Sequence, residues 1–92
     1  MVGAFVLISA DGDRIAGLGA ELAGIPGVVE AYSVAGDVDL VAVLRVASNE
    51  QVAEIVTGRI AKLRGVQETK TLIAFRSYSP DDLAAAYEGM ED

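Results

Sequence analysis

Two acidic side chains in one short loop, Asp37 and Asp39 of Gly36-Asp37-Val38-Asp39, are the part of this chain best suited to chemistry. A pair of carboxylates beside apolar runs can clamp an ammonium group, and exposed N–H groups of the same turn can take a carboxylate. Together they suit an α-amino acid. As an acid/base pair they would work only if burial drove their pKa values apart, which spacing does not reveal. The competing reading is turn chemistry alone, with Asp37 a turn former and Asp39 opening a strand. If the clamp is real, Asp39→Ala should abolish binding and leave assembly intact.

A second segment, Thr69-Lys70-Thr71 followed by Leu72-Ile73-Ala74-Phe75, offers hydroxyl and backbone groups that could line a pocket shared with the loop. Threonine is also an ordinary strand residue, so a plain edge strand explains it equally well. Tyr32 reads as packing before recognition. Arg45, in an otherwise apolar run, reaches solvent or an acid at an interface. Tyr78 and Tyr87 near the end would cover an edge or a neighbouring subunit.

Other chemistry is excluded by composition. The 92 residues contain no cysteine and no histidine, which removes a disulfide framework, a thiolate metal site, a Cys nucleophile and a His general base. No Gly-x-Ser-x-Gly turn or Gly-rich phosphate loop occurs, so neither a catalytic role nor a cofactor is expected. Of the net charge of −7, residues 80–92 carry −5 through Asp81, Asp82, Glu88, Glu91 and Asp92. The remaining body is nearly neutral with scattered bases, unlike the basic face that nucleic-acid binding requires. The apolar run at residues 2–8 is too short to span a membrane and lacks a basic leader, so the chain reads as cytoplasmic.

The elements that must position the loop can be taken in order. Residues 2–9 are apolar and β-rich, a strand. Residues 10–13 form a turn with an Asp to cap the next helix. Ile15, Leu18 and Leu22 mark one face of a helix over residues 14–24, weakened by Gly17 and Gly19. Ile25-Pro26-Gly27-Val28 stops it and starts the second strand. Residues 31–34 and 40–46 then form a hairpin around residues 36–39, where Gly and Asp tolerate positive φ. Ser48-Asn49-Glu50 opens a second helix whose stripe, Val52, Ile55, Val56, Ile60 and Leu63, covers about four turns. Arg64-Gly65 ends it, and residues 66–75 form a fourth strand. Ser79-Pro80-Asp81-Asp82 starts a short C-terminal helix over residues 80–88.

Shifting the chain by 38 residues places Phe5 on Val43, Leu18 on Val56, Leu22 on Ile60 and Ile25-Pro26-Gly27-Val28 on Leu63-Arg64-Gly65-Val66. Two β-α-β units in tandem predict an α+β, ferredoxin-like βαββαβ sandwich, with an antiparallel four-stranded sheet and both helices on one face. A half-exposed sheet should alternate polar and apolar residues. Residues 4–8, 40–44 and 72–75 are instead apolar throughout. A lone chain would expose a large apolar patch, which predicts a homodimer packed sheet against sheet as a dimeric α/β barrel. On this reading Leu44→Asp should break the dimer.

These residues resemble a known family. Ile25-Pro26-Gly27-Val28, the run Tyr32-Ser33-Val34-Ala35-Gly36-Asp37-Val38-Asp39-Leu40-Val41, then Arg64-Gly65-Val66 and Thr69-Lys70-Thr71 are similar to the RAM effector domain of Lrp/AsnC-type transcription regulators. The resemblance spans about residues 2–77, within a ligand-binding domain taken as 1–79 followed by an acidic tail at 80–92. It implies dimers that assemble into octameric or decameric rings and bind an amino acid between neighbouring dimers. It implies ligand contacts at Tyr32, Gly36, Asp37, Val38 and Asp39, and at Leu72, Ile73 and Ala74, to which the strand reading adds Thr71. Val38 stands where many relatives carry an aromatic residue. The chain starts at its first strand without the family's helix-turn-helix, so it looks like a stand-alone effector domain. It would sense a metabolite or co-assemble with full-length regulators, and would not touch DNA itself. An ACT-like regulatory module of an enzyme and a small dimeric α/β-barrel enzyme remain alternatives.

Overall fold

Alternation of buried and accessible side chains along the first strand sets out the architecture. In β1 (Val2–Ala10), Ala4, Val6 and Ile8 are fully covered while Phe5 is exposed. The computed structural model describes residues 1–80. After β1 come a 3-10 turn (Gly12–Arg14), α1 (Ile15–Ala23), β2 (Val28–Ser33), β3 (Leu40–Val46), α2 (Asn49–Gly58), a second 3-10 turn (Ile60–Lys62) and β4 (Val66–Ala74). The sheet order is β2-β3-β1-β4, and each neighbouring pair is antiparallel. This is the expected βαββαβ arrangement, with β2 and β4 at the edges.

One core holds it together. Leu18 and Leu22 of α1, Val52 of α2 and Ile60 meet Val6, Ile8, Leu40 and Leu44 of the two central strands. Burying each Leu or Ile contributes roughly 1.5–3 kcal/mol. Leu44 therefore belongs to the core beneath the helices and is fully buried within one chain. The expectation that it lies at a sheet-to-sheet contact is corrected: β3 is apolar on both faces, and periodicity does not say which face is which.

The opposite face is bare. Leu7 and Phe5 of β1 pair with Val41 and Val43 of β3, and Phe5 also pairs with Leu72 of β4. Phe5 and Leu72 stay 42% and 46% exposed, so the unpaired apolar face expected from the sequence is present.

The two repeats share one turn. Val28 N–H donates to the Ile25 carbonyl, and Val66 N–H to the Leu63 carbonyl. Gly27 and Gly65 occupy the positive-φ position of these turns.

Two local expectations change. No Asp caps α1; the Asp11 carboxylate instead accepts from the Gln67 amide across to β4. The second helix stops at Gly58 and continues only as the 3-10 turn, because Arg59 leaves helical geometry after a Thr-Gly pair of low helix propensity. Ser48 does cap α2, accepting from the Gln51 N–H, while Gln51 reaches back to the Ala47 N–H. The C-terminal helix expected over residues 80–88 falls, beyond Pro80, outside the described residues. No helix among them is long and apolar enough to cross a membrane.

Candidate functional site

The loop at residues 34–39 is closed by its own backbone, with Val34 N–H donating to the Asp39 carbonyl at 3.0 Å. Gly36 adopts φ +139°, and a Cβ there would meet nothing within 4 Å, so glycine serves backbone freedom rather than close packing. Asp37 does not take a positive φ. Its side chain is exposed, with no hydrogen bond or ion pair among the described residues, and Val38 is half-buried.

Asp39 is engaged differently. Its N–H donates to the Ile8 carbonyl at 2.9 Å, and its Oδ2 accepts from the Ala10 N–H at 2.8 Å. The residue stitches the loop to the end of β1, where the ladder to β4 shifts register between Ser9 and Ala10. The two loop carboxylates are therefore unequal. Asp37 is wholly available to a ligand, whereas Asp39 has one oxygen committed to the fold.

The second candidate segment is split. Thr71 pairs with buried Val6, and Ile73 with buried Ala4, which places both on the helix side. There they form, with Val52, Ala53 and Val56 of α2, an open groove of about 350 Å³. Leu72 and Ala74 lie on the bare face. Thr69-Lys70-Thr71 sits in the middle of β4.

Sheet order also separates the two segments. Tyr32 is on edge strand β2 and residues 71–74 are on edge strand β4, with β3 and β1 between. Three inter-strand spacings amount to about 14 Å, too far for one amino acid to touch both edges of the same sheet. Within one chain the predicted residues do not form a single pocket.

Tyr32 has a partner that the sequence reading missed. Its hydroxyl donates to the Glu30 carboxylate on the bare side of β2. That hydrogen bond first, then desolvation and the nearby negative charge, raises the Tyr32 pKa above its ordinary value. An i, i+2 spacing in a strand signals a shared face. What hid the face was the bulge at Val29: Val28 opposes Leu44 while Glu30 opposes Val43, and the extra residue turns Glu30 and Tyr32 away from the core.

Among the described residues no three Asp or Glu side chains gather into a metal site. A cavity of about 410 Å³ opens at the far end of the bare face, between Phe5, Val43, Arg45 and Ala74 and the chain leaving β4 at Phe75 and Tyr78. Arg45 is exposed there, as expected, and Tyr78 is 73% exposed.

Comparison with known proteins bears directly on this arrangement. An uncharacterised HTH-type transcriptional regulator of Pyrococcus furiosus is 39% identical over 77 residues, 78% of this chain and 50% of the regulator. The chain thus spans about half the length of the curated relatives it matches. Among solved structures, a protein from Thermus thermophilus is 47% identical with a TM-score of 0.82, covering 86% of this chain and 99% of that one. A feast or famine regulatory protein from M. tuberculosis, solved with L-methionine, is 30% identical with a TM-score of 0.68, covering 88% of this chain and 54% of that one. The family model described as the Lrp/AsnC ligand binding domain matches residues 3–84. With the βαββαβ fold and the Gly-Asp-Val-Asp loop in place, this chain belongs to the Lrp/AsnC ligand-binding-domain family.

Proposed function

We propose that the chain is an oligomeric, amino-acid-binding regulatory domain. It senses a small metabolite, or modulates full-length Lrp/AsnC regulators by co-assembly, in the cytoplasm and without contacting DNA itself. The observation that carries this reading is the 30% identical relative of the same fold solved with L-methionine. The loop at residues 34–39 adds the groups that such a ligand needs, an Asp37 carboxylate open to the ammonium and exposed backbone around Gly36 for the carboxylate.

The separation of Tyr32 and residues 36–39 from residues 71–74 favours a site completed by a second copy. A ligand that uses both segments must take them from different subunits. The apolar bare face provides a reason for the first pairing, sheet against sheet, and rings of such dimers would bring further edges together. We keep residues 1–79 as the ligand-binding unit and 80–92 as an acidic appendage.

Native mass spectrometry of the chain with a mixture of the twenty amino acids tests the proposal. The expected result is an even-numbered oligomer that retains one amino acid per subunit. An oligomer that retains nothing would shift the function to co-assembly through protein contacts. A monomer would overturn the reading.

A further inference from the structure

One row of the bare face lacks bulk. Gly3 of β1 pairs with Arg45 of β3 on one side and with Ala74 of β4 on the other. In the next row the same strands carry Val43, Phe5 and Leu72. The step from Phe5 down to Gly3 makes a hollow, with Gly3 and Ala74 as its floor and Phe5 and Val43 as its apolar wall. This is the cavity of about 410 Å³ at the end of the sheet, bordered on its far side by the chain that leaves β4 through Arg76. Small-molecule sites run from roughly 300 to 1,000 Å³, so the size fits.

The backbone does not require glycine at position 3. Gly3 lies in a regular stretch of β1 without a positive φ, and the register shifts only further on, between Ser9 and Ala10. A Cβ there would touch the Ala74 Cβ at 3.7 Å and the Leu44 carbonyl at 3.9 Å, both ordinary contacts. Glycine weakens a strand interior, and where no bulge or bend explains it, close approach by another group does.

The charges around the hollow are of one sign. Arg45 and Arg76 both line it and are exposed, and among the described residues no Asp or Glu does so. Neither guanidinium forms an ion pair among the described residues. Glu54 shares an adjoining hollow with Arg45 but stays outside ion-pair distance. Two of the seven basic residues of a chain of net charge −7 thus meet at one cavity without a counter-charge. A guanidinium suits a carboxylate, which it can hold through two parallel hydrogen bonds. An ammonium group there would meet two like charges and no acid.

We propose that this cavity binds a small carboxylate with an aromatic or branched apolar body and no amino group. Arg45 and Arg76 hold the carboxylate, and the body lies over Gly3 and Ala74 against Phe5. Five strand residues separate Arg45 from Leu40 at the edge of the loop, about 17 Å along β3. The site is therefore distinct from the loop, where Asp37 offers the opposite charge, and it does not depend on the amino-acid reading.

Calorimetric titration with 3-phenylpropionate tests the proposal, with its neutral amide as the control. The acid should bind about tenfold or more tightly than the amide, because two guanidinium groups act on it. L-Phenylalanine, which carries the same ring and an ammonium, should not displace it. Arg45→Gln and Arg76→Gln should each weaken binding about fivefold, as expected for exposed charges. Gly3→Val fills the floor and should abolish binding, while Asp37→Asn should leave it as in the wild type. Sedimentation of each variant, with and without the acid, should match the wild type alone. The proposal is overturned by an acid that does not bind, by equal affinity for acid and amide, or by displacement with L-phenylalanine. Undiminished binding in Gly3→Val overturns it as well, and a loss in Asp37→Asn would move the acid to the loop. An acid that binds only by dissociating the oligomer takes a partner's place, which also overturns the site.

Discussion

The carboxylate of Asp39 accepts a hydrogen bond from the backbone N–H of Ala10, 29 residues earlier, at 2.8 Å. This contact joins the candidate ligand loop to the last residue of β1, so a ligand pulling on the loop acts directly on a central strand. It also gives Asp39 a task in the unliganded fold. Asp39→Ala leaves the Ala10 N–H without its partner and should cost about 1–2 kcal/mol, read as a lower urea midpoint. Asp37→Asn should leave the midpoint unchanged while weakening amino-acid binding in calorimetry. Equal affinity in the Asp37 variant would remove the ammonium clamp. An unchanged midpoint in the Asp39 variant would remove the stitch.

Gly27 and Gly65 stand 38 residues apart and hold φ of +98° and +97°. Gly65 has a second constraint, because a Cβ there would come within 2.7 Å of the Arg14 side chain. Arg14 donates from Nε to the Arg64 carbonyl at 3.0 Å and pairs with Glu21, fastening α1 to the entry of β4. Gly65→Ala should therefore lose more than the roughly 1 kcal/mol of left-handed strain alone. Arg14→Gly in the same background, which also removes the Arg14 Cβ at 2.8 Å, should recover part of the loss. Thermal unfolding of the single and double variants checks this, and strictly additive losses would show that the crowding is not real.

Leu44 and Phe5 lie one row apart on opposite faces of the sheet, and carboxylates placed there should act differently. Leu44→Asp buries an unpaired charge beneath the helices and should abolish folding, seen as loss of the circular dichroism signal. Phe5→Asp puts the charge on the bare face, and should give a folded chain that sediments as a monomer. A folded, dimeric Phe5→Asp protein would show that the bare face is not the contact.

Tyr32 should titrate above the ordinary tyrosine range because Glu30 accepts its proton-bearing hydroxyl. A raised value means that the folded state holds the phenol proton more tightly than the unfolded chain does. The resulting stabilisation is present below about pH 10 and is lost as pH rises through the folded value. Spectrophotometric titration of the wild type minus Tyr32→Phe isolates this group from the other tyrosines. Glu30→Gln should move the transition back toward its ordinary position, and an unmoved transition would show that the carboxylate is not the cause.

Much of this was legible in the chain because its signals are local. The 38-residue repeat, the two Gly-Val turns and the Ser48 cap depend on residues within a few positions of one another, and each appears in the fold as expected. Runs at residues 4–8 and 40–44 declared a sheet apolar on both sides, and the bare face bears this out. The Gly-Asp-Val-Asp loop likewise announced polar groups at a strand junction.

What tertiary structure alone decided is which face each residue occupies and which segments meet. A single bulge at Val29 turns Glu30 and Tyr32 outward, and no propensity marks it, since valine suits either face. Leu44 and Val43 differ by one position and trade core for surface because a strand's period is two. The strand order places β2 and β4 at opposite edges, so segments that looked like one pocket along the chain are separated by two strands. Residue types determined that an amino-acid-sized site could exist. Long-range strand pairing determined that Tyr32 on β2 and residues 71–74 on β4 do not meet within one chain.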